Sequence, residues 1–214
     1  MSSLLRYRIG SRATLELVQG DIVDETTDAI VNAANSSLLG GGGVDGAIHR
    51  NAGPKLLAEC RKIRDQRGSL APGQAVTTGA GNLKVRYVIH TVGPVWQGGG
   101  KNEPQILESC YCHCVEEARR LGCVEMSFPS ISTGAFGYPV AEAAQIALRS
   151  IADLLYGEHV HSQQLHGKNQ PSSQLLNKVR FVLFDPHTHA AYAKAAKNLA
   201  TEFPHYEIRT VTNA

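Results

Sequence analysis

Three polar residues with a spacing suited to hydrolytic chemistry lie beside a run of four glycines. Asn35 precedes Gly40–Gly43, and Asp45 and His49 follow the run. Residues four positions apart share one face of a helix, so a helical segment here would bring Asp45 and His49 together. A carboxylate in this position could orient or deprotonate a water molecule. Asn35 could then bind a sugar hydroxyl, and His49 could orient Asp45.

Each of the three residues also has a purely structural interpretation. Asp45 could be an N-cap, Asn35 could form an Asx turn, and His49 could be a packed structural histidine. From spacing alone, the structural interpretation of His49 is favoured. The chemical interpretation therefore depends on what the neighbouring glycines do.

The glycine run is suited to a site where backbone approaches an anion. Ala29–Ala33 is a short apolar segment typical of a strand buried on both faces. The segment that starts at Asp45 is predicted to be helical. Glycines that open a helix expose unpaired N–H groups at the positive end of its dipole, and such groups bind phosphate. A flexible surface loop is the alternative. The run matches neither a Walker A loop nor the Gly-x-Gly-x-x-Gly dinucleotide fingerprint.

A second loop of small residues, 130–138, repeats this layout. It follows a predicted strand and precedes a helix that opens at Pro139. Two such loops at one sheet edge could hold a diphosphate from both sides. Phe136 within this loop and Phe184 at a strand end could stack on a sugar or base, or could pack in the core. Asp21 also ends a strand, where open α/β sheets place ligands.

The order of predicted elements indicates an α/β protein with a mostly parallel sheet covered on both faces. Strands are predicted at Ala13–Gln19, Ala29–Ala33, Ala75–Gly79, Tyr87–Val92, Val124–Phe128 and Val179–Phe184, with a possible edge strand at Tyr206–Val211. Helices are predicted at about 45–52, 54–67, 104–121, 139–156 and 187–202. Residues 1–12 are predicted to be an N-terminal arm and 13–214 a single domain with a polar excursion at about 157–173.

Composition narrows the possible partners and the cellular setting. The chain has 214 residues and a net charge of +2, so no strong field attracts nucleic acid. No apolar run is long enough to span a membrane. Five cysteines without a regular framework favour reduced thiols and a cytoplasmic protein. Arg6, Arg8 and Arg12 leave organellar targeting open, although an N-terminal arm or first strand is preferred.

Residues 110–114, Cys-Tyr-Cys-His-Cys, suggest a zinc or redox site as an alternative. On a helix Cys110, His113 and Cys114 share one side, but Cys112 does not. No second cluster with ligand spacing is present, and Cys110 and Cys114 also lie on the apolar stripe of the helix. We therefore expect no metal site. No Gly-x-Ser-x-Gly nucleophile elbow occurs either.

Four segments together resemble the signature of a macrodomain of the MacroD type. They are residues 20–22 (Gly-Asp-Ile), 30–49, 87–94 (Tyr-Val-Ile-His-Thr-Val-Gly-Pro) and 129–138 (Pro-Ser-Ile-Ser-Thr-Gly-Ala-Phe-Gly-Tyr). They occur in the family's order, and the resemblance extends over about residues 13 to 200. It implies a three-layer α/β/α fold around a mixed, mostly parallel six-stranded sheet that binds ADP-ribose.

The resemblance also implies a role for each candidate residue. Asp21 would accept the adenine amino group beside Ile22, Phe184 would stack on adenine, and Asn35 would bind the distal ribose. Asp45 would help to activate a water, supported by His49. The diphosphate would be held by backbone of two loops, with Phe136 beside the distal ribose. These loops comprise Gly41, Gly42, Gly43 and Val44, and Ser132, Thr133, Gly134, Ala135 and Phe136.

The implied activity is hydrolysis of esters at the distal ribose, without a metal or other cofactor. The expected substrates are O-acetyl-ADP-ribose and proteins mono-ADP-ribosylated on Asp or Glu, and a monomer is expected. The principal alternative is a non-catalytic reader of ADP-ribose or poly-ADP-ribose. The combination of Asn35, Asp45 and the glycine run favours catalysis. An RNA-binding role is disfavoured by the low net charge.

Overall fold

The computed structural model describes residues 4–10, 13–165 and 176–211. The strands in chain order are β1 (Leu4–Ile9), β2 (Ala13–Gln19), β3 (Ala29–Ala33), β4 (Ala75–Gly79), β5 (Tyr87–Thr91), β6 (Glu125–Phe128), β7 (Lys178–Leu183) and β8 (Arg209–Thr210). The α-helices are α1 (Gly43–Ala52), α2 (Pro54–Arg67), α3 (Glu103–Arg120), α4 (Val140–Leu165) and α5 (Pro186–Glu202). Short 3₁₀ helices cover Ile22–Asp24 and Pro204–Tyr206.

The strands form one mixed sheet in the order β4-β5-β3-β6-β7-β2-β1-β8. The five strands from β5 to β2 are parallel to one another. Strand β4 on one side and strand β1 on the other run antiparallel to them, and β8 pairs antiparallel with β1 at the outer edge. The carboxyl ends of the parallel strands therefore meet along one edge of the sheet.

Two apolar layers cover the faces of the sheet and confirm the three-layer α/β/α architecture. One layer packs α1 and α2 against alternate strand residues such as Ile30 and Val88. The other packs α3, α4 and α5 against the intervening residues, including Val31 and Ile89. Because successive strand side chains point to opposite faces, strands buried on both sides show continuous apolar runs.

The sheet has eight strands, so the prediction of six was wrong. One added strand is β1, which lies in the segment predicted to be an N-terminal arm. It pairs antiparallel with β2 from Leu4 opposite Val18 to Ile9 opposite Ala13. Tyr7 and Ile9 are buried in the core, and Arg6 and Arg8 alternate with them along the strand. The other is β8, much shorter than the edge strand predicted at 206–211.

Helix α4 is longer than predicted and continues to Leu165, through the first part of the polar excursion. Adding a residue to an existing helix brings one hydrogen bond without a new nucleation step. A polar composition therefore did not end this helix at residue 156. The rest of the excursion, 166–173, lies outside the described residues. In residues 4–10, 13–165 and 176–211, no helix is long and apolar enough to cross a membrane.

Candidate functional site

A cleft of about 600 Å³ lies at the carboxyl edge of the parallel strands. Its walls come from the ends of β2, β3, β6 and β7 and from the amino-terminal ends of α1 and α5. Crevices at this edge are where open α/β sheets bind ligands, and this volume is typical of small-molecule sites. The two segments predicted to hold a diphosphate, residues 41–44 and 132–136, line this cleft.

The first loop ends in the N-terminus of α1, which begins at Gly43 with Gly42 as its N-cap. Asp45 is therefore the third residue of the helix, and its N-cap interpretation was wrong. Acidic residues are favoured throughout a first helical turn, so the sequence could not distinguish these positions. The N–H groups of residues 41–44 have no hydrogen-bond partner within the described part of the chain. They are available to an anion in the cleft.

The second loop presents a similar set of free donors. Its own geometry is fixed by hydrogen bonds from Tyr138 N to Ser132 O (3.0 Å) and from Gly137 N to Gly134 O (2.9 Å). Trp96 N donates to Phe136 O at 2.9 Å and ties the loop to residues 95–97. The N–H groups of residues 133–136 donate to no described residue. The cleft is thus bordered by unpaired backbone donors on two sides.

Asn35 forms the predicted Asx turn and also lines the cleft. Its Oδ1 accepts from Ser37 N at 3.0 Å and from Ser37 Oγ at 2.6 Å. Its Nδ2 donates one hydrogen to Gly40 O at 2.9 Å. An amide nitrogen carries two hydrogens, so one donor of Asn35 remains for a ligand. The structural and the chemical interpretation of Asn35 are therefore compatible.

Asp45 is buried at the inner wall of the cleft with only 4% of its surface exposed. A Cβ placed on Gly41 would lie 3.0 Å from Asp45 Oδ2 and 3.1 Å from Asn35 Nδ2. The carboxylate and the amide therefore both lie on the side of Gly41 toward which a Cβ would point. Burial raises the pKa of Asp45, while the hydrogen bond from Asn32 and the nearby His49 act in the opposite direction. Such a carboxyl is suited to proton transfer.

His49 lies behind the cleft rather than in its wall. Its Nε2 is 3.4 Å from Asp45 Oδ1, and its ring packs under Gly40, 3.5 Å from a Cβ placed there. The i,i+4 spacing thus brings His49 and Asp45 together as predicted. Within the described residues, His49 Nε2 has no hydrogen-bond partner. Any contribution of His49 to chemistry would be made through Asp45.

The residues predicted to bind a base follow β2 and β7, which β6 separates from β3 in the sheet. Asp21 Oδ1 accepts from Val23 N at 3.2 Å and caps the short 3₁₀ helix, which leaves Oδ2 for a ligand. Ile22 beside it is buried, and Phe184 is 77% exposed. An aromatic side chain so exposed at a cleft is typical of a stacking surface. Asp21, Ile22 and Phe184 all line the same cavity as the two loops.

Sequence reasoning missed several residues that shape this site. Asn32 and His90 lie fully buried behind Asp45, and Arg50 lines the cleft from α1. Gly93 also lines it, and a Cβ there would clash with Ser132 Oγ. The sequence did carry a signal for Asn32 and His90, since each is a polar residue inside an apolar strand. Buried polar groups require hydrogen-bond partners.

The cysteines of the alternative zinc site are packed in the core. Cys110 and Cys114 are fully buried, and Cys110 Sγ lies 3.3 Å from Val92 O. Burial raises the pKa of Cys110 to about 11, so its thiol remains protonated at neutral pH. Residues 4–10, 13–165 and 176–211 contain no group of three or more His, Cys, Asp or Glu side chains placed to hold a metal.

Comparison with protein families and sequences identifies relatives across most of the chain. The Macro domain family matches residues 31–147. A macro domain-containing protein of Caldanaerobacter subterraneus is 48% identical over 86% of this chain and 97% of its own length. A protein of Cronobacter turicensis named O-acetyl-ADP-ribose deacetylase is 56% identical over 66% of this chain and 80% of its own length.

Solved structures show the same architecture. The Oceanobacillus iheyensis macrodomain with ADP superimposes with a TM-score of 0.81 at 39% identity, covering 95% of this chain and 100% of that one. The Trypanosoma brucei macrodomain in complex with ADP-ribose gives a TM-score of 0.67 at 36% identity, covering 84% of this chain and 68% of that one.

Proposed function

Because the chain belongs to the Macro domain family, we propose that it binds ADP-ribose and hydrolyses esters at the distal ribose. The proposed substrates are O-acetyl-ADP-ribose and proteins mono-ADP-ribosylated on Asp or Glu side chains. The observation that carries the proposal is that Asp45 Oδ2 and Asn35 Nδ2 both lie beside Gly41, in a cleft bordered by two sets of free backbone donors. The names of the relatives support the deacetylase activity.

The geometry supports one orientation of the ligand. The free N–H groups of residues 41–44 and 133–136 would hold the two phosphates. Adenine would then lie against Phe184 with its amino group toward Asp21 Oδ2, since these residues form the end of the cleft remote from Asp45. The distal ribose would lie beside Phe136 and within reach of the remaining Asn35 donor.

In the proposed reaction Asp45 accepts a proton from a water molecule as the water oxygen attacks the ester carbonyl carbon. The tetrahedral intermediate collapses with cleavage of the bond between that carbon and the ribose oxygen. The ribose oxygen takes up the proton, and a carboxylic acid and ADP-ribose with a free hydroxyl are released. No step requires a metal or another cofactor. A positioned general base of this kind accelerates hydrolysis by about 10²- to 10⁴-fold.

The proposal is tested by measuring release of acetate from O-acetyl-ADP-ribose and of ADP-ribose from a protein modified on Glu. A protein modified through Arg, whose linkage is not an ester, serves as the matched control substrate. We expect turnover of both esters and none of the arginine linkage. Asn35→Ala should lower turnover of the esters by about tenfold or more, because it removes a donor and loosens the loop. Micromolar binding of ADP-ribose without turnover would instead make the protein a reader.

A second prediction concerns Arg50, which lies on the cleft side of α1 with Val44 and Ala47. Its exposed guanidinium is expected to attract the diphosphate, so Arg50→Ala should weaken ADP-ribose binding about three- to tenfold at low salt. The loss should shrink as ionic strength rises. Titration calorimetry at two salt concentrations measures it. Arg61→Ala, which removes an exposed arginine from α2, is the control and should leave affinity unchanged.

A further inference from the structure

A chain of buried hydrogen bonds runs from Asp45 into the sheet. Asn32 in β3 is fully buried, and its Nδ2 donates to Asp45 Oδ1 at 2.7 Å. The same nitrogen lies 3.1 Å from Nδ1 of His90 in β5. Both hydrogens of the Asn32 amide nitrogen are thereby used, one toward Asp45 and one toward His90.

The tautomer of His90 determines which atom donates in each of these hydrogen bonds. His90 is fully buried, and burial lowers its pKa to about 3, so the ring is neutral at physiological pH. Nδ1 accepts from Asn32, which places the ring proton on Nε2. Nε2 then donates to Thr78 Oγ1 in β4 at 2.9 Å, with Cys60 Sγ 3.8 Å away. A reversed Asn32 amide would set its oxygen against the carboxylate of Asp45.

We infer that Asn32 is a positioning residue for the hydrolytic reaction, which together with His90 and Thr78 holds Asp45 Oδ1 toward the sheet and thus Oδ2 toward the cleft. The inference rests on the proposed function. Oδ2 is the oxygen that faces the backbone of Gly41, which lines the cavity. Asn32, His90 and Thr78 hold the carboxylate from the side of the sheet, and none of the three lines the cleft.

The surroundings of Asp45 predict how its pKa responds when the hydrogen bond from Asn32 is removed. Among the described residues, His49 from α1 and Cys60 from α2 lie near Asp45, and His90 from β5 lies behind Asn32. Burial raises the pKa of Cys60 to about 12, so both Cys60 and His90 are neutral near pH 7. The hydrogen bond from Asn32 therefore stabilises the ionised form of Asp45. Its removal should raise the pKa of Asp45 further.

The test uses Asn32→Leu, a change of similar volume that removes the amide. We expect kcat on O-acetyl-ADP-ribose at pH 7 to fall by about tenfold to hundredfold. The acidic limb of the pH–rate profile should move to higher pH, so that activity partly recovers in alkaline buffer. Affinity for ADP-ribose, measured by calorimetry, should change by less than about threefold, because Asn32 does not line the cleft.

Thr78→Val and Thr77→Val form a matched pair on the same strand. Thr78→Val removes the acceptor of His90 and should give a smaller shift of the pH–rate profile in the same direction. Thr77 Oγ1 instead donates to Glu117 Oε2 on α3 at 2.6 Å, so Thr77→Val should leave the profile unchanged. If Asn32→Leu does not fold, this pair decides the question alone.

The outcomes separate this inference from the proposed function. A wild type that binds ADP-ribose but hydrolyses neither ester overturns the proposed function, and the inference with it. Wild-type turnover with an unshifted profile in folded Asn32→Leu or Thr78→Val overturns the inference alone. Equal losses of kcat and affinity, or the same shift in Thr77→Val, would show a general structural role and also overturn it.

Discussion

Asp45→Asn is expected to lower kcat on both esters by about hundredfold or more while ADP-ribose affinity changes little. The new amide oxygen can still accept from Asn32, so the geometry of the inner wall is retained. The proton acceptor that faces the cleft is lost. Rates at saturating substrate and affinities by calorimetry together measure the change. An equal loss of kcat and affinity would contradict the assignment of Asp45 as the base.

The stability of Asp45→Asn distinguishes lost chemistry from lost folding. Burial raises the pKa of Asp45 in the folded protein, so its ionised form is less favourable there than in the unfolded chain. The contribution of Asp45 to stability is therefore fully present below its unfolded pKa and is lost as pH rises through its raised folded pKa, and a neutral replacement removes this penalty. We expect the melting temperature of the variant at pH 7 to equal or exceed that of the wild type.

Asp21→Asn is the matched control at the other end of the same cleft. Its side-chain oxygen can still cap the 3₁₀ helix through Val23 N. Replacing the second carboxylate oxygen with an NH₂ group should weaken recognition of the adenine amino group. Affinity should therefore fall while kcat at saturation is retained, which is the opposite of the pattern expected for Asp45→Asn.

Gly46→Ala is expected to weaken ADP-ribose binding and turnover together, by about tenfold or more, because an overpacked contact costs roughly 1–3 kcal/mol. A Cβ on Gly46 would lie 2.5 Å from the carbonyl oxygen of Gly41, and this neighbour is backbone. The glycine run must then move away from α1, which displaces the free N–H groups of residues 41–44. Calorimetry with ADP-ribose and initial rates on O-acetyl-ADP-ribose measure the two losses.

Gly157→Ala is the control, because Gly157 does not pack against the glycine run. Gly157 lies within α4, and a Cβ there would meet nothing within 4 Å. Alanine stabilises helix interiors relative to glycine by about 1 kcal/mol. This variant should keep wild-type affinity and melt at an equal or higher temperature. Wild-type binding by Gly46→Ala would show that the glycine run tolerates displacement, and would contradict its role as a fixed phosphate site.

The local features of the chain could be predicted from the sequence because they depend on neighbouring residues. The six strands expected between Ala13 and Phe184 are all present, with ends shifted by a residue at most, and α1 and α2 break at Gly53–Pro54 as expected. The Asx turn of Asn35 and the proximity of Asp45 to His49 also follow from short spacings. Turn chemistry and helical periodicity act within a few residues.

Tertiary structure alone decided which distant residues meet. Asn32 contacts Asp45 and His90 because the sheet places β3 beside β5, and 58 positions separate Asn32 from His90. It also decided that residues 4–9 add a strand to the sheet, through pairing with β2 and burial of Tyr7 and Ile9. Strand order depends on contacts far apart along the chain, and no local pattern records it.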